Sequence, residues 1–229
     1  MKITQVLILA AGEGLRMRPL TNNQPKPLIK VNGVSMLDRI LKKLEELPQI
    51  TKIVVNGFYL ADKLENHLKS LNNPKIIFSN ETSKLETGGG LLQALKFFDE
   101  NQPIIIINGD IIWQNNDVLQ SMLNNFDLGK MDILLGLKDK NSFLGYDGNG
   151  DFNLKNGEVT KDKINNFVYT GIQIFNLAIL KKHKLPEPPF SLNYFFSDLS
   201  KIKGTELSGN FFHIGTPEAL ESFSKLIPN

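Results

Sequence analysis

The sequence predicts an α/β fold, a mostly parallel sheet flanked by helices and carrying a small β-rich insertion. Three observations predict it. From Gln5 to Leu137, apolar runs of about four to seven residues alternate with amphipathic stretches of about ten, the rhythm of strand–helix–strand crossover units. The apolar runs are continuous rather than alternating, as in strands covered on both faces. After Lys138 the rhythm breaks, and Gly145 to Glu158 is rich in Gly, Asp and Asn, which reads as a hairpin insertion.

The elements follow in order. Gln5 to Ala11 (QVLILAA) is the first buried strand, followed by a Gly-, Pro- and Arg-rich loop to Pro27. Leu28 to Val31 reads as a short strand and Asn32-Gly33 as a turn. Ser35-Met36-Leu37-Asp38 resembles a capping box opening an amphipathic helix to Leu47. Strands are expected at Ile53-Val54-Val55, Ile76-Ile77-Phe78, Pro103 to Asn108 and Met131 to Leu137. Helices are expected at Leu60 to Leu71, Gly90 to Phe98 and Asn116 to Phe126. Val168 to Phe175 returns to strand character, and a helix is expected near Leu192 to Ile202 after the Pro186-Glu187-Pro188-Pro189 break. A short strand at Phe211-Phe212 leads to a C-terminal helix from Pro217. The chain reads as one domain in two parts, 1–137 and 138–229, divided where the rhythm breaks.

Composition narrows the function. There are 26 basic and 24 acidic residues, a net charge of +2, without the basic excess of a duplex-DNA binder. No cysteine is present, which excludes disulfides, cysteine-ligated zinc and a cysteine nucleophile. The N-terminal apolar run, Val6 to Ala11, is short for a signal-peptide core, and no stretch approaches the roughly 20 apolar residues that span a bilayer. A cytoplasmic protein with no nucleic-acid or membrane partner is expected, as a monomer or homodimer.

The first loop carries the strongest signal: Leu9-Ala10-Ala11-Gly12-Glu13-Gly14-Leu15-Arg16-Met17-Arg18-Pro19-Leu20-Thr21, continuing to Pro25-Lys26-Pro27-Leu28. It follows the first strand, and open α/β sheets bind ligands at the carboxyl ends of strands. The small residues Ala10, Ala11, Gly12 and Gly14 let backbone N–H groups approach an anion. Arg16 and Lys26 add fixed positive charge, and the prolines at 19, 25 and 27 stiffen the loop. A P-loop is excluded, because no G-x-x-x-x-G-K-[ST] run exists. The dinucleotide fingerprint fails where Met17 stands in its third glycine position.

This string resembles the signature G-x-G-x-R-x-x-P-L-T-x-x-x-P-K-P-L of the sugar-1-phosphate nucleotidyltransferase family. The resemblance implies a Rossmann-like sheet of the GT-A-like nucleotidyltransferase type. It also implies transfer of a nucleotidyl group from a nucleoside triphosphate to a sugar-1-phosphate, with Arg16 on the triphosphate and Lys26 neutralising charge at the α-phosphorus. Leu85-Glu86-Thr87-Gly88-Gly89-Gly90 and Gly148-Asn149-Gly150-Asp151-Phe152-Asn153-Leu154 look most like the N-acetylmuramate-1-phosphate uridylyltransferases of cell-wall (peptidoglycan) recycling. That likeness points to UTP as the donor and covers residues 6 to about 221.

Asn108-Gly109-Asp110 closes the most apolar strand. Taken alone it also fits a turn with a helix cap. Beside the first loop it reads as a ligand for Mg2+ or Mn2+, since magnesium takes one or two carboxylates plus substrate phosphates. The three glycines at 88–90 fit either a close backbone approach to a ligand or a loop tip. The resemblance puts Glu81 and Gly88 near the base, and Asn108 on the nucleotide side. It puts Gly150, Asp151, Thr170 and Gly171, with Lys26, on the sugar-phosphate side, which makes 1–137 the nucleotide-binding half and 138–229 the sugar-phosphate-binding half.

One departure stands out. Phe211-Phe212-His213-Ile214-Gly215-Thr216-Pro217-Glu218 matches a W-x-D-x-G-T-P-E segment with His213 in the place of the second metal-binding Asp. Three readings stay open: His213 binds a metal such as manganese or zinc, Asp110 is the only protein ligand, or catalysis is weakened. Two other functions compete, a mannose-1-phosphate guanylyltransferase or related hexose or heptose enzyme, and a non-catalytic nucleotide-sugar-binding subunit. A hydride-transferring oxidoreductase is disfavoured by the broken fingerprint.

Overall fold

The computed structural model describes residues 2–144, 146, 148–182 and 184–226. Met1, Gly145, where the expected hairpin insertion begins, Asp147, His183 and residues 227–229 lie outside them. In chain order the strands are β1 (Gln5–Leu9), β2 (Lys30–Val31), β3 (Val34–Ser35), β4 (Lys52–Gly57), β5 (Ile76–Asn80), β6 (Pro103–Asn108) and β7 (Ile111–Trp113). They continue with β8 (Ile133–Asp139), β9 (Phe143–Leu144), β10 (Asn153–Lys155), β11 (Glu158–Thr160), β12 (Phe167–Asn176), β13 (Ile202–Glu206) and β14 (Phe211–His213). The α-helices are α1 (Met36–Glu45), α2 (Ala61–Ser70), α3 (Glu86–Ala94), α4 (Val118–Asn125) and α5 (Pro217–Leu226).

Among the described residues, nine strands form the central sheet in the order β10-β11-β13-β8-β12-β6-β1-β4-β5. Strands β6, β1, β4 and β5 pair in parallel, as does β13 with β8. Only β11 and β12 run against the rest. The expected halves therefore share one sheet, since β12 lies between β8 and β6. The order β5-β4-β1-β6 reverses direction of growth between β1 and β6. Loops leaving those two strands diverge, and the divergence opens a crevice at their carboxyl ends. β1 and β6 are in register there, Leu9 opposite Asn108.

Ile104 to Ile107 are each 0% exposed, which explains the uninterrupted apolar run: the strand is covered on both faces. Successive residues serve opposite faces. Ile105 and Ile107 join Val6, Ile8 and the inner faces of α1, α2 and α4. Ile104 and Ile106 join Leu7, Leu91 and Ala94 of α3, and Phe195. Each such side chain contributes about 1.5–3 kcal/mol of burial. Helix α1 begins as the capping box predicts, with Ser35 Oγ accepting the Asp38 N–H at 3.0 Å. It buries Met36, Leu37, Ile40, Leu41 and Leu44.

Three elements differ from the sequence expectation. The helix expected near Leu192 to Ile202 is a single 3₁₀ segment, Leu192–Ser197, and Ile202 starts β13 instead. Ser191 caps that segment, while the chain beyond is drawn alongside β8, where Asp132 N–H donates to Lys201 O at 2.8 Å. β7 was not expected; it pairs with β14, which also pairs with β9 in a separate small sheet. Helix α3 starts at Glu86 rather than Gly90, because the Gly88 and Gly89 N–H groups find an acceptor in Phe190 O, at 2.8 and 3.2 Å. The expected hairpin insertion is β10 and β11, turning at Asn156-Gly157 with both φ positive.

Candidate active site

The crevice between the β1 and β6 loops is a cleft of about 480 Å³. Residues 9–16 and Lys26-Pro27 form one wall, and Asn108, Gly109 and Asp110 the floor. Asn56, Glu81, residues 84–87 and Gly215 also line it.

Local geometry explains the loop motif. Gly14 has φ 62°, and a Cβ there would lie 2.8 Å from Thr21 Cγ2 and 3.0 Å from Lys26 Cβ. Thr21 Oγ1 donates to Gly14 O at 2.8 Å. The glycine and the threonine thus let the loop fold back on itself and press the Lys26 stem into the cleft wall. Gly12 differs: a Cβ there meets nothing within 4 Å, so its lack of a side chain serves the open cleft.

Lys26 Nζ lies 2.6 Å from Asp110 Oδ2, and His213 Nε2 lies 3.2 Å from the same oxygen. Three tips meet here. Gly109 N–H donates to Leu9 O at 2.9 Å, tying β6 to β1, and Ile214 N–H donates to Asp110 O at 3.1 Å, tying β14 to both. Burial by itself would raise the Asp110 carboxyl, but the His213 hydrogen bond and the Lys26 charge outweigh it and hold it well below the usual carboxylate range. Arg16 reaches the same end: a Cβ on Gly215 would stand 3.2 Å from the His213 ring and 3.6 Å from the Arg16 guanidinium. Arg16, Lys26, Asp110 and His213 are therefore brought together.

A second network also lines the cleft. Ala10 N–H donates to Asn56 Oδ1 at 2.6 Å, and Asn56 Nδ2 donates to Glu81 Oε1 at 2.6 Å. Glu81 is 4% exposed and Asn56 2%. Burial pushes the Glu81 carboxyl up to about 7, against the Asn56 and Leu85 hydrogen bonds that lower it. The Ala10 N–H is thus satisfied within the protein, and Ala11, Gly12 and Gly14 remain on the cleft wall. Sequence reasoning missed Asn56. The available signal was its place directly after Ile53-Val54-Val55, a polar residue ending an apolar strand as Asn108 does. It also missed Lys84, which pairs with Glu13 at 3.1 Å across the cleft mouth.

The remaining expected residues do not line this cleft. A close approach to the triple glycine exists, but the approaching groups belong to the chain itself. A Cβ on Gly88 would lie 2.3 Å from the Phe190 ring, on Gly89 2.9 Å from Pro188, and on Gly90 2.7 Å from Glu81 Oε1. Gly150, with φ 74°, packs against the Asn165 backbone. Asp151 accepts the Tyr169 N–H at 2.8 Å, and Thr170 donates to Gly136 O at 2.8 Å. Gly171, with φ 80°, makes room for Asn108, whose Cβ a substituent would meet at 2.9 Å. That contact joins the β12 bulge to the cleft floor. No helix among the described residues is long and apolar enough to cross a membrane.

A family model described as Nucleotidyl transferase matches residues 5–202. The chain is 34% identical over 227 residues to the N-acetylmuramate alpha-1-phosphate uridylyltransferase of Caulobacter vibrioides, covering 93% of this chain and 92% of that one. It is 28% identical to the Bifunctional protein GlmU of Methanocaldococcus jannaschii over 92% of this chain, and spans only 51% of that relative. The fold is similar to the crystal structure of HddC from Yersinia pseudotuberculosis complexed with GMP-PN. There the TM-score is 0.77 at 23% identity, covering 98% of this chain and 99% of that one.

Proposed function

Because the chain belongs to the nucleotidyl transferase family and is a sugar-1-phosphate nucleotidyltransferase, we propose that it transfers the uridylyl group of UTP to N-acetylmuramate 1-phosphate. The products are the UDP-sugar and pyrophosphate, and the setting is recovery of cell-wall sugars. The likeness to the Caulobacter uridylyltransferase over nearly the whole of both chains is the observation that carries this substrate choice. The arrangement of Lys26, Arg16 and Asp110 around one cleft supports the chemistry.

A sugar-1-phosphate oxygen attacks the α-phosphorus, a new P–O bond forms, and the bond to the β-phosphate bridge breaks. The attacking phosphate is already anionic at neutral pH, so no general base is needed. The barrier is the meeting of two anions, and neutralising charge with fixed orientation lowers it. Arg16 draws the triphosphate to the Gly12–Gly14 wall. Lys26, released from Asp110, covers the charge on the α-phosphate. Asn56 fixes the Ala10 backbone and orients Glu81 on the base side. Asp110, kept ionised by its neighbours, is the residue that would hold Mg2+ or Mn2+ together with substrate phosphates. When bound, such an ion withdraws charge from the phosphates and aligns them.

The test is a panel of triphosphates (UTP, GTP, dTTP, CTP) against sugar phosphates (N-acetylmuramate, mannose, glucose and N-acetylglucosamine 1-phosphates), read by pyrophosphate release. UTP with N-acetylmuramate 1-phosphate is expected to give the highest kcat/KM. A preference of tenfold or more for another pair replaces the substrate assignment and leaves the reaction class standing.

A further inference from the structure

We infer that the Asn108 side-chain amide binds a ring hydroxyl of the acceptor sugar, and that Gly171 is the positioning residue that seats this amide. The inference rests on the nucleotidyl-transfer reading above and names a residue that selects the acceptor.

The tips of three neighbouring parallel strands form one row. Leu9 of β1 pairs with Asn56 of β4 on one side and with Asn108 of β6 on the other. The two asparagines are used differently. Asn56 is 2% exposed, and both ends of its amide are taken, Oδ1 by the Ala10 N–H and Nδ2 by Glu81. Asn108 is half-buried and lines the cleft, and its amide has no hydrogen-bond partner among the described residues. Buried and half-buried amides are normally paired. This one ends an apolar strand on the cleft floor with donor and acceptor both open, ready for a ligand that supplies the partners.

Packing rather than hydrogen bonding holds it. β12 runs antiparallel to β6, and Gly171 falls one position beyond the Ile172–Ile107 pair, across from Asn108. The pairing of β12 with β8 shifts register between Tyr169 and Gln173, and Gly171 takes φ 80° within that bulge. A Cβ at 171 would stand 2.9 Å from each of Asn108 Cβ, Asn108 Nδ2 and Ile111 Cγ1, closer than side-chain carbons approach. The bare backbone of Gly171 is thus the seat of the Asn108 amide. Gly171 is not itself among the cleft-lining residues, so it acts through Asn108.

Chemistry assigns the ligand. A carboxamide both donates and accepts, which matches a hydroxyl; a phosphate only accepts, and its oxygens would repel Oδ1. Arg16 and Lys26 already serve the phosphates. An in-line displacement sets the attacking oxygen opposite the leaving pyrophosphate. With the pyrophosphate on the Gly12–Gly14 wall after β1, the acceptor comes from the β12 side of the floor, where Asn108 stands.

The experiment is steady-state kinetics on the full chain, read by pyrophosphate release. The substrates are UTP and N-acetylmuramate 1-phosphate, or the pair that replaces them in the panel above. Asn108→Ala, and Asn108→Leu, which keeps the volume, are each expected to lower kcat/KM for the sugar phosphate tenfold or more, with the KM for UTP within twofold. Gly171→Ala is expected to cause the same kind of loss alone, and less than a further twofold loss in Asn108→Ala, where no amide remains to be positioned. Thermal melts read the strain at φ 80°, which falls on both backgrounds alike, so the kinetic coupling isolates the positioning role. If Gly171→Ala does not fold, the two Asn108 variants decide the outcome. An unchanged acceptor kcat/KM in them, or a raised KM for UTP alone, overturns the inference and leaves the proposed function intact. So does a full additional loss from Gly171→Ala in the Asn108→Ala background. If the wild type releases no pyrophosphate with any pair, the proposed function falls and the inference falls with it.

Discussion

Lys26 Nζ and Asp110 Oδ2, 84 residues apart in the chain, meet at 2.6 Å on the floor of the cleft. The pair is partly buried, with side-chain exposures of 11% and 26%. The ammonium helps to hold the carboxylate ionised, and the contact keeps both groups in place until phosphates arrive to compete for the ammonium.

Lys26→Ala is therefore expected to lower turnover on the order of 10²-fold or more, the scale of losing one preorganised charge at the reacting phosphorus. Pyrophosphate release under saturating substrates measures it. Turnover near the wild-type value would remove Lys26 from the reaction.

Asn56 satisfies the Ala10 N–H and donates to Glu81 from a position 2% exposed. Asn56→Ala strands both partners in the interior, at about 1–3 kcal/mol for each unsatisfied group. Urea unfolding should show a loss of several kcal/mol, together with weaker nucleotide binding as the first loop loosens. A stability change under about 0.5 kcal/mol, the scale of an unremarkable surface substitution, would refute the network.

Glu81 gives stability a pH dependence of known sign. Its folded value of about 7 lies above the ordinary 4.5. Its contribution is therefore complete below pH 4.5 and is lost as pH rises through 7. The wild type should lose up to about 3 kcal/mol across that window relative to Glu81→Gln, in which the group no longer titrates. Asp110 does not blur the comparison, because its depressed carboxyl loses its contribution only below the ordinary 3.8. Equal pH slopes for the two proteins in denaturant titrations would show that Glu81 is not the source.

Two glycines separate packing from function. Gly88→Ala drives a Cβ to 2.3 Å from the Phe190 ring and 2.8 Å from its carbonyl, and overpacking of this kind costs typically 1–3 kcal/mol. Gly12→Ala meets nothing within 4 Å. It should leave the melting temperature nearly unchanged while weakening triphosphate binding at the cleft wall. Thermal melts and nucleotide titration of both variants check the contrast. The reverse pattern would exchange the roles assigned to these two residues.

The legible parts of this protein are those encoded by neighbours in the chain. The small-residue first loop, the Ser35 cap and the hairpin insertion each depend on residues a few positions apart, so their spacing announces them. The buried strands are equally plain, because coverage on both faces demands unbroken apolar runs. Motif resemblance supplied the family for the same reason, since its loop is one continuous string.

What the sequence by itself determined is thus the strand and helix rhythm, the cationic loop, and the family that loop marks. Only the tertiary structure decided the partners. It set His213 beside Asp110 across 103 residues, joined Ala10 to Glu81 through Asn56, and spent the space over Gly88 on Phe190 rather than on a ligand. It also drew 202–206 into the sheet as β13, beside β8. The physical reason is common to all four. A contact between distant residues exists only once the sheet has closed in one order and register, and no local pattern records which side chain will arrive opposite.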